Sequence, residues 1–151
     1  KGTCFTLYFP ITKEQPTDPH LLAPSMLTCR GQGERILVVE DQKNQREIAR
    51  RLLARLGYEV HSVASGEEAV EFIKQHQVDL ILLDMVMEPG INGCETYQRI
   101  VEHSPDQKAI IVSGYSSTND IEQARKLGIH HFIKKPYSIK DISQALRLEF
   151  S

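Results

Sequence analysis

Little in this chain invites a disulfide-bonded or membrane-spanning reading. Its three cysteines, Cys4, Cys29 and Cys94, are odd in number and far apart. That argues against a disulfide framework and fits a reducing, cytoplasmic compartment. No apolar run approaches the roughly 20 residues that span a bilayer, so this segment is expected to make no membrane contact. A signal peptide is also missing, since Phe5, Tyr8 and Pro10 stand where a charged and then an apolar region should be. Nor is there a basic surplus. With a formal net charge of −2, direct binding of nucleic acid is not expected. Position 1 is Lys rather than Met, as expected of a piece cut or processed from a longer chain.

What is present suits one soluble domain with a tail: 151 residues, 40% of them apolar and 25% charged. Thr3 to Pro10 alternates and is rich in β-formers, so residues 1–15 read as one strand stopped by Pro10. A lone strand leaves its own backbone unpaired, which assigns it to a sheet that is mostly missing here. Residues 16–33, with Pro16, Pro19, Pro24, Gly31 and Gly33, read as a linker.

From residue 34 the pattern becomes regular. Arg35 to Val39 is a buried strand running into Glu40-Asp41. Gln45 to Leu56 is a helix, with Ile48, Ala49, Leu52, Leu53 and Leu56 on one stripe and Gly57 just past its end. A short strand from Tyr58 to Val63 follows. Ser65-Gly66-Glu67-Glu68 is a capping box that opens a helix with Ala69, Val70 and Ile73 inward. Val78 to Asp84 is the most apolar run, a strand buried on both faces. Pro89-Gly90 and Asn92-Gly93 make a loop before a helix carrying Cys94, Tyr97, Ile100 and Val101 on one side. Lys108 to Val112 is the fourth strand, ending at Ser113-Gly114. A helix over Asp120–Leu127 closes at Gly128, and His130 to Lys134 is the fifth strand. Ser138 caps the last helix, which buries Ile142, Ala145 and Leu146. Five strands alternating with five helices predict an α/β fold with a doubly wound parallel sheet.

In such sheets the ligand crevice lies outside the carboxyl ends of the strands. That edge receives Glu40-Asp41, Asp84, Ser113 and Lys135. Gathered carboxylates repel unless a cation joins them, and a short rim of hard oxygen ligands suits Mg²⁺. Lys135 offers a point charge to a phosphoryl oxygen, and the Ser113 hydroxyl can donate to another. No His, Cys or Gly-rich phosphate loop is placed to turn over an external substrate. Asp84 itself is then the natural phosphoryl acceptor.

With these residues in this order, residues 34–150 resemble a response-regulator receiver domain of a two-component system. The matching pieces are Ile36 to Asp41, Leu82-Leu83-Asp84-Met85, Pro89-Gly90 with Asn92-Gly93, Ser113-Gly114-Tyr115 and Lys135-Pro136. The resemblance implies a flavodoxin-like sandwich of strand order 2-1-3-4-5. It implies that Asp84 accepts a phosphoryl group from the phosphohistidine of a histidine kinase or a histidine phosphotransfer protein. It implies Mg²⁺ on Asp41, Asp84 and the Val86 backbone carbonyl, with Glu40 acting mainly through water. Ser113 and Lys135 would grip the phosphoryl oxygens, Lys135-Pro136 would be cis, and Phe132 would turn inward as Ser113 moves. Val86 and Tyr115 occupy positions that control water access to the acyl phosphate. Both are bulky and neither is a good base, which predicts slow self-dephosphorylation. Three departures stand out: Glu40 in place of a second Asp, Ser113 in place of the commoner Thr, and one extra residue, Glu88, after Asp84.

Lys1 to Pro10 resembles the closing strand of a histidine-kinase ATP-binding domain, with Gly2-Thr3-Cys4-Phe5 as its motif. Kinase remnant, linker and receiver in that order are the arrangement of a hybrid histidine kinase, whose parent chain can be membrane-anchored. Other readings are a free-standing regulator or phosphate sink with an unrelated tail, and a scaffold that binds without being phosphorylated. An Mg²⁺-dependent phosphohydrolase would want an Asp two residues after the nucleophile, where Val86 stands. His130-His131 alternate across a strand and are not expected to chelate one ion.

Overall fold

The computed structural model describes Thr6 and residues 30–114 and 118–151. The strand and most of the linker expected over residues 1–33, and Tyr115, lie outside the described residues.

Five strands form one parallel sheet: β1 (Arg35–Val39), β2 (Glu59–Val63), β3 (Leu80–Asp84), β4 (Ala109–Ser113) and β5 (His131–Lys134). They lie in the order β2-β1-β3-β4-β5, and every neighbouring pair is parallel. The intervening helices are α1 (Lys43–Arg55), α2 (Gly66–Gln75), α3 (Gly93–Val101), α4 (Thr118–Lys126) and α5 (Ile139–Phe150).

The alternation of side chains along each strand builds two cores, one on each face of the sheet. Leu37, Val39, Ile81, Leu83 and Ile111 pack on one face beneath Ala69 and Ile73 of α2, Tyr97 and Ile100 of α3, and Ala124 of α4. Ile36, Val38, Leu80, Leu82, Ile110 and Val112 face the other way. They meet Ala49 and Leu53 of α1 and Ile142, Ala145 and Leu146 of α5. β3 and β4 are therefore buried at every position, which is why they read as unbroken apolar runs rather than alternating ones. Each such Leu or Ile taken out of water contributes about 1.5–3 kcal/mol.

The expected element boundaries shift by one or two residues. α1 starts at Lys43, before Gln45, and β3 starts at Leu80 because Asp79 is spent holding the start of β1. Its carboxylate accepts the Arg35 N–H at 2.6 Å, and its own N–H donates to the Arg35 carbonyl at 2.8 Å. Gly57 follows α1 as expected, at φ +94°, where a side chain would be strained.

Two local readings are corrected. Ile48 is not on the buried stripe of α1. That stripe runs through Ala49, Leu53 and Leu56, while Ile48 is 57% exposed and lines the groove beside Asp84. Ser65 does cap α2, accepting the Glu68 N–H at 3.2 Å. The return half of the capping box goes elsewhere, however, because Glu68 Oε2 accepts from the Ala64 N–H at 2.8 Å. The complete capping box is at α5, between Ser138 and Asp141.

Candidate functional site

The parallel register delivers the polar residues to one edge. Val39 pairs with Leu83, Asp84 with Val112 and Ser113 with Lys134. Glu40 just past β1, Asp84 at the end of β3 and Lys135 just past β5 therefore surround a common point. The Lys135 N–H continues the ladder by donating to the Ser113 carbonyl at 2.8 Å. The Lys135–Pro136 bond is cis, as is Glu88–Pro89, which was not foreseen.

Glu40, Asp84 and Ser113 are buried, at 4%, 5% and 6% exposure. Lys135 Nζ sits between the two acids, 2.6 Å from Glu40 Oε2 and 2.7 Å from Asp84 Oδ2. Burial raises the Glu40 carboxyl above its usual value and the charge of Asp84 adds to this, against the opposing hydrogen bond from Lys135. Burial alone would lower Lys135, but its bonds to Asp84 and Glu40 outweigh that and hold it above its usual value. The ammonium is thus fixed in its charged form between two carboxylates.

Carboxylate oxygens of Glu40, Asp41 and Asp84 lie within 4.8 Å of one another. Two polar atoms here are buried with no hydrogen-bond partner, Asp41 Oδ1 and Ser113 Oγ. Buried polar atoms are nearly always paired, so these two call for a ligand that supplies a cation to one and an acceptor to the other. Three hard oxygens in one place fit Mg²⁺. The other Asp84 oxygen, Oδ1, accepts from the Val86 N–H at 3.2 Å, while the Val86 side chain is 55% exposed. Arg46 holds the backbone of the acidic pair, donating to the Glu40 carbonyl at 2.6 Å and to that of Asp41 at 3.1 Å. Nothing in the pattern of α1 marked Arg46 for this.

Phe132 is half-buried, with the Arg125 guanidinium 5.9 Å from its ring centre. Beside it a cavity of about 370 Å³ is lined by Ile111, Ser113, Gly114 and Ile121. Lys134 and His130 are exposed, and His131 approaches Glu149 at 3.7 Å. Among the described residues, the only cluster of three or more possible metal ligands is the acidic one at Asp84. Cys94 is buried, its thiol 3.6 Å from the sulfur of Met85, a core position as expected. Glu67, read in the sequence only as part of the α2 cap, reaches the loop after Asp84.

A doubly wound parallel sheet with this acidic edge defines a receiver, and residues 36–147 match the response regulator receiver domain. The chain belongs to that family. It is 30% identical over 162 residues to the autoinducer 1 sensor kinase/phosphatase LuxN of Vibrio harveyi, an alignment covering 95% of this chain and 19% of that protein. Against the sensor kinase CckA of Brucella abortus the identity is 30%, over 97% of this chain and 16% of that one. Against sporulation initiation phosphotransferase F of Bacillus subtilis it is 30%, over 76% and 92%. The chain thus spans under a fifth of the length of the two sensor kinases. Among solved structures, a CheY-like receiver domain of Methanospirillum hungatei superposes with a TM-score of 0.72 at 27% identity, covering 78% of this chain and 97% of that one. TrrA of Thermotoga maritima, solved with Mg²⁺ and BeF, gives 0.70 at 29%, covering 77% and 98%. Among the described residues no helix is long and apolar enough to cross a membrane.

Proposed function

We propose that Asp84 is the phospho-acceptor of a phosphorelay, taking its phosphoryl group from a phosphohistidine. One Asp84 oxygen attacks phosphorus, the P–N bond breaks, and its electron pair stays on the imidazole nitrogen, which then takes up a proton. Mg²⁺, held by Asp41, Asp84 and the Val86 carbonyl with Glu40 acting through water, would neutralise phosphoryl charge. Lys135 is already charged, and it can exchange its bond to Asp84 for one to a phosphoryl oxygen. Ser113 Oγ, buried and unpartnered, donates to another. That unpaired hydroxyl, together with the unpaired Asp41 oxygen at the same sheet edge, is the observation that carries the reading. Phe132 and the cavity behind Ser113 then form the switch: movement of Ser113 toward the phosphoryl group opens space for the ring.

The chain is further read as the receiver of a hybrid sensor histidine kinase, with residues 1–15 the last strand of the kinase domain and residues 16–33 the linker. Support comes from the reach of the alignments. LuxN and CckA match 95% and 97% of the chain, which a match confined to residues 36–151 cannot reach. The phosphotransferase of Bacillus subtilis stops at 76%.

The test is intact-protein mass after incubation with Mg²⁺ and acetyl phosphate, beside Asp84→Asn. One phosphoryl adduct on the wild type, lost in the variant, is expected. No adduct, with Mg²⁺ binding confirmed by calorimetry, would leave the scaffold reading instead.

A further inference from the structure

The loop between β3 and α3 is tied down at both ends. At its start, the Met85 N–H donates to the Val112 carbonyl at 2.9 Å, and the Met85 carbonyl accepts from the Gly93 N–H at 3.0 Å. At its far end, Thr96 Oγ1 donates to the Asn92 carbonyl at 2.7 Å. Between these ties the Met87 side chain is 3% exposed and packs inward, while Glu88, Pro89 and Gly90 are exposed.

Among the described residues, one polar side chain from another element reaches this stretch. Glu67, in the first turn of α2, accepts the Ile91 N–H through Oε1 at 3.1 Å, across 24 residues of sequence. Its carboxylate also lies flat against Gly90. A Cβ there would stand 2.8 Å from Oε1 and 2.9 Å from Oε2, so a glycine at φ +122° is what lets the loop come so near. The contact continues below, where a Cβ on Gly66 would fall 2.6 Å from Ile91 Cγ1 and 2.0 Å from Thr96 Oγ1. A solvated glutamate at a helix start has no need of such an approach. The carboxyl of Glu67 is held below its usual value by its own backbone N–H and that of Ile91, with Ser65 and Arg99 adding to the effect. It therefore stays an anionic acceptor at neutral pH.

We propose that Glu67 is a positioning residue for the loop after Asp84, fixing the backbone from which Val86 presents its carbonyl to Mg²⁺. The proposal rests on the receiver reading of the site. Glu67 touches neither the metal ligands nor the phosphoryl group. It acts by pinning Gly90–Ile91, so that the loop has one arrangement before the ion arrives and the cost of ordering it is not taken from metal binding. Without it the loop keeps its ties at Met85, Val86, Met87 and Asn92–Gly93, but residues 88–91 lose the one side-chain hydrogen bond that holds them, and a shift there is passed back along the chain to Val86.

The test measures the Mg²⁺ Kd by calorimetry for the full chain and for Glu67→Ala and Glu67→Gln. The rate of acetyl phosphate labelling is followed against Mg²⁺ concentration in parallel. Glu67→Ala is expected to raise the Kd about tenfold and to move the Mg²⁺ requirement for labelling by the same factor. The rate at saturating Mg²⁺ should stay unchanged. Glu67→Gln keeps an acceptor oxygen for Ile91 and should show a smaller shift. A folded Glu67→Ala with the wild-type Kd overturns the proposal, even if its melting temperature falls. If that variant does not fold, a wild-type Kd in Glu67→Gln overturns it just as well. Failure of the wild type to bind Mg²⁺ at all would remove the receiver reading and this inference together.

Discussion

Lys135 Nζ lies 2.7 Å from Asp84 Oδ2, and the same ammonium bonds Glu40 at 2.6 Å. Two buried carboxylates are thus kept in one site by a single cation from the far side of the sheet. Replacing Lys135 by Met leaves Glu40 and Asp84 facing each other uncompensated. Breaking a buried ion pair by removing one partner costs about 3 kcal/mol or more. Urea denaturation of Lys135→Met in EDTA should show a loss of that order, and added Mg²⁺ should restore part of it. Equal stability with and without the lysine would mean that Glu40 and Asp84 do not depend on it for their place in the fold.

A second prediction concerns the backbone at Asp84. A Cβ on Gly93 would fall 2.5 Å from the Asp84 carbonyl oxygen and 2.9 Å from Met85 Cα. Both are backbone atoms, at the last residue of β3 and the residue after it, so no side chain can swing aside to relieve the contact. Gly93→Ala should cost about 2 kcal/mol or more, and the strain falls on Asp84, the proposed phospho-acceptor. The acetyl phosphate adduct should be reduced even where the variant is fully folded by circular dichroism. A fully labelled Gly93→Ala would show that the end of β3 moves without harm to the site.

Most of the fold is legible in the residues because burial on both faces leaves a strong imprint. Ile36 to Val39, Leu80 to Leu83 and Ile110 to Val112 are unbroken apolar runs, and each is followed at once by a polar group. What is not legible is contact across distance. Glu40 and Lys135, 95 residues apart, are bonded directly, a contact that neither the strand pattern nor the role implied for Glu40 toward Mg²⁺ announces. Glu67 looks like an ordinary acid at a helix start until its 3.1 Å bond to Ile91 is seen. Ile48 belongs to the apolar pattern of α1, and the pattern cannot tell which of its residues lies beside the groove rather than over the sheet.

The α5 cap supplies a pH dependence. Asp141 Oδ2 accepts from the Ser138 N–H at 2.8 Å and from its hydroxyl at 2.7 Å, and these bonds, the backbone one first, hold the Asp141 carboxyl below its ordinary 3.8. A carboxylate whose folded pKa is depressed adds stability above the unfolded value, and that stability is lost as the pH falls through the folded one. Asp141→Asn should therefore melt below the wild type near neutral pH. The gap should narrow as the pH drops below 3.8. A gap that stays constant across that window would assign the effect to packing rather than to the charge.

The groove beside Asp84 separates chemistry from recognition. Ile48 and Val86, 57% and 55% exposed, line it together with Lys135, Pro136 and Tyr137, enclosing about 760 Å³. Large apolar side chains left this exposed around a reactive group are what a docking protein would bury. A small donor such as acetyl phosphate needs none of that surface. Ile48→Ala should then leave stability within about 0.5 kcal/mol of wild type and acetyl phosphate labelling unchanged. Transfer from the phosphohistidine of the cognate kinase or phosphotransfer protein should slow about tenfold, the effect of losing roughly 1.4 kcal/mol of contact. An equal loss with both donors would place Ile48 in the chemistry of the site. No loss with either would move the partner's footprint off this groove and onto another face of the domain.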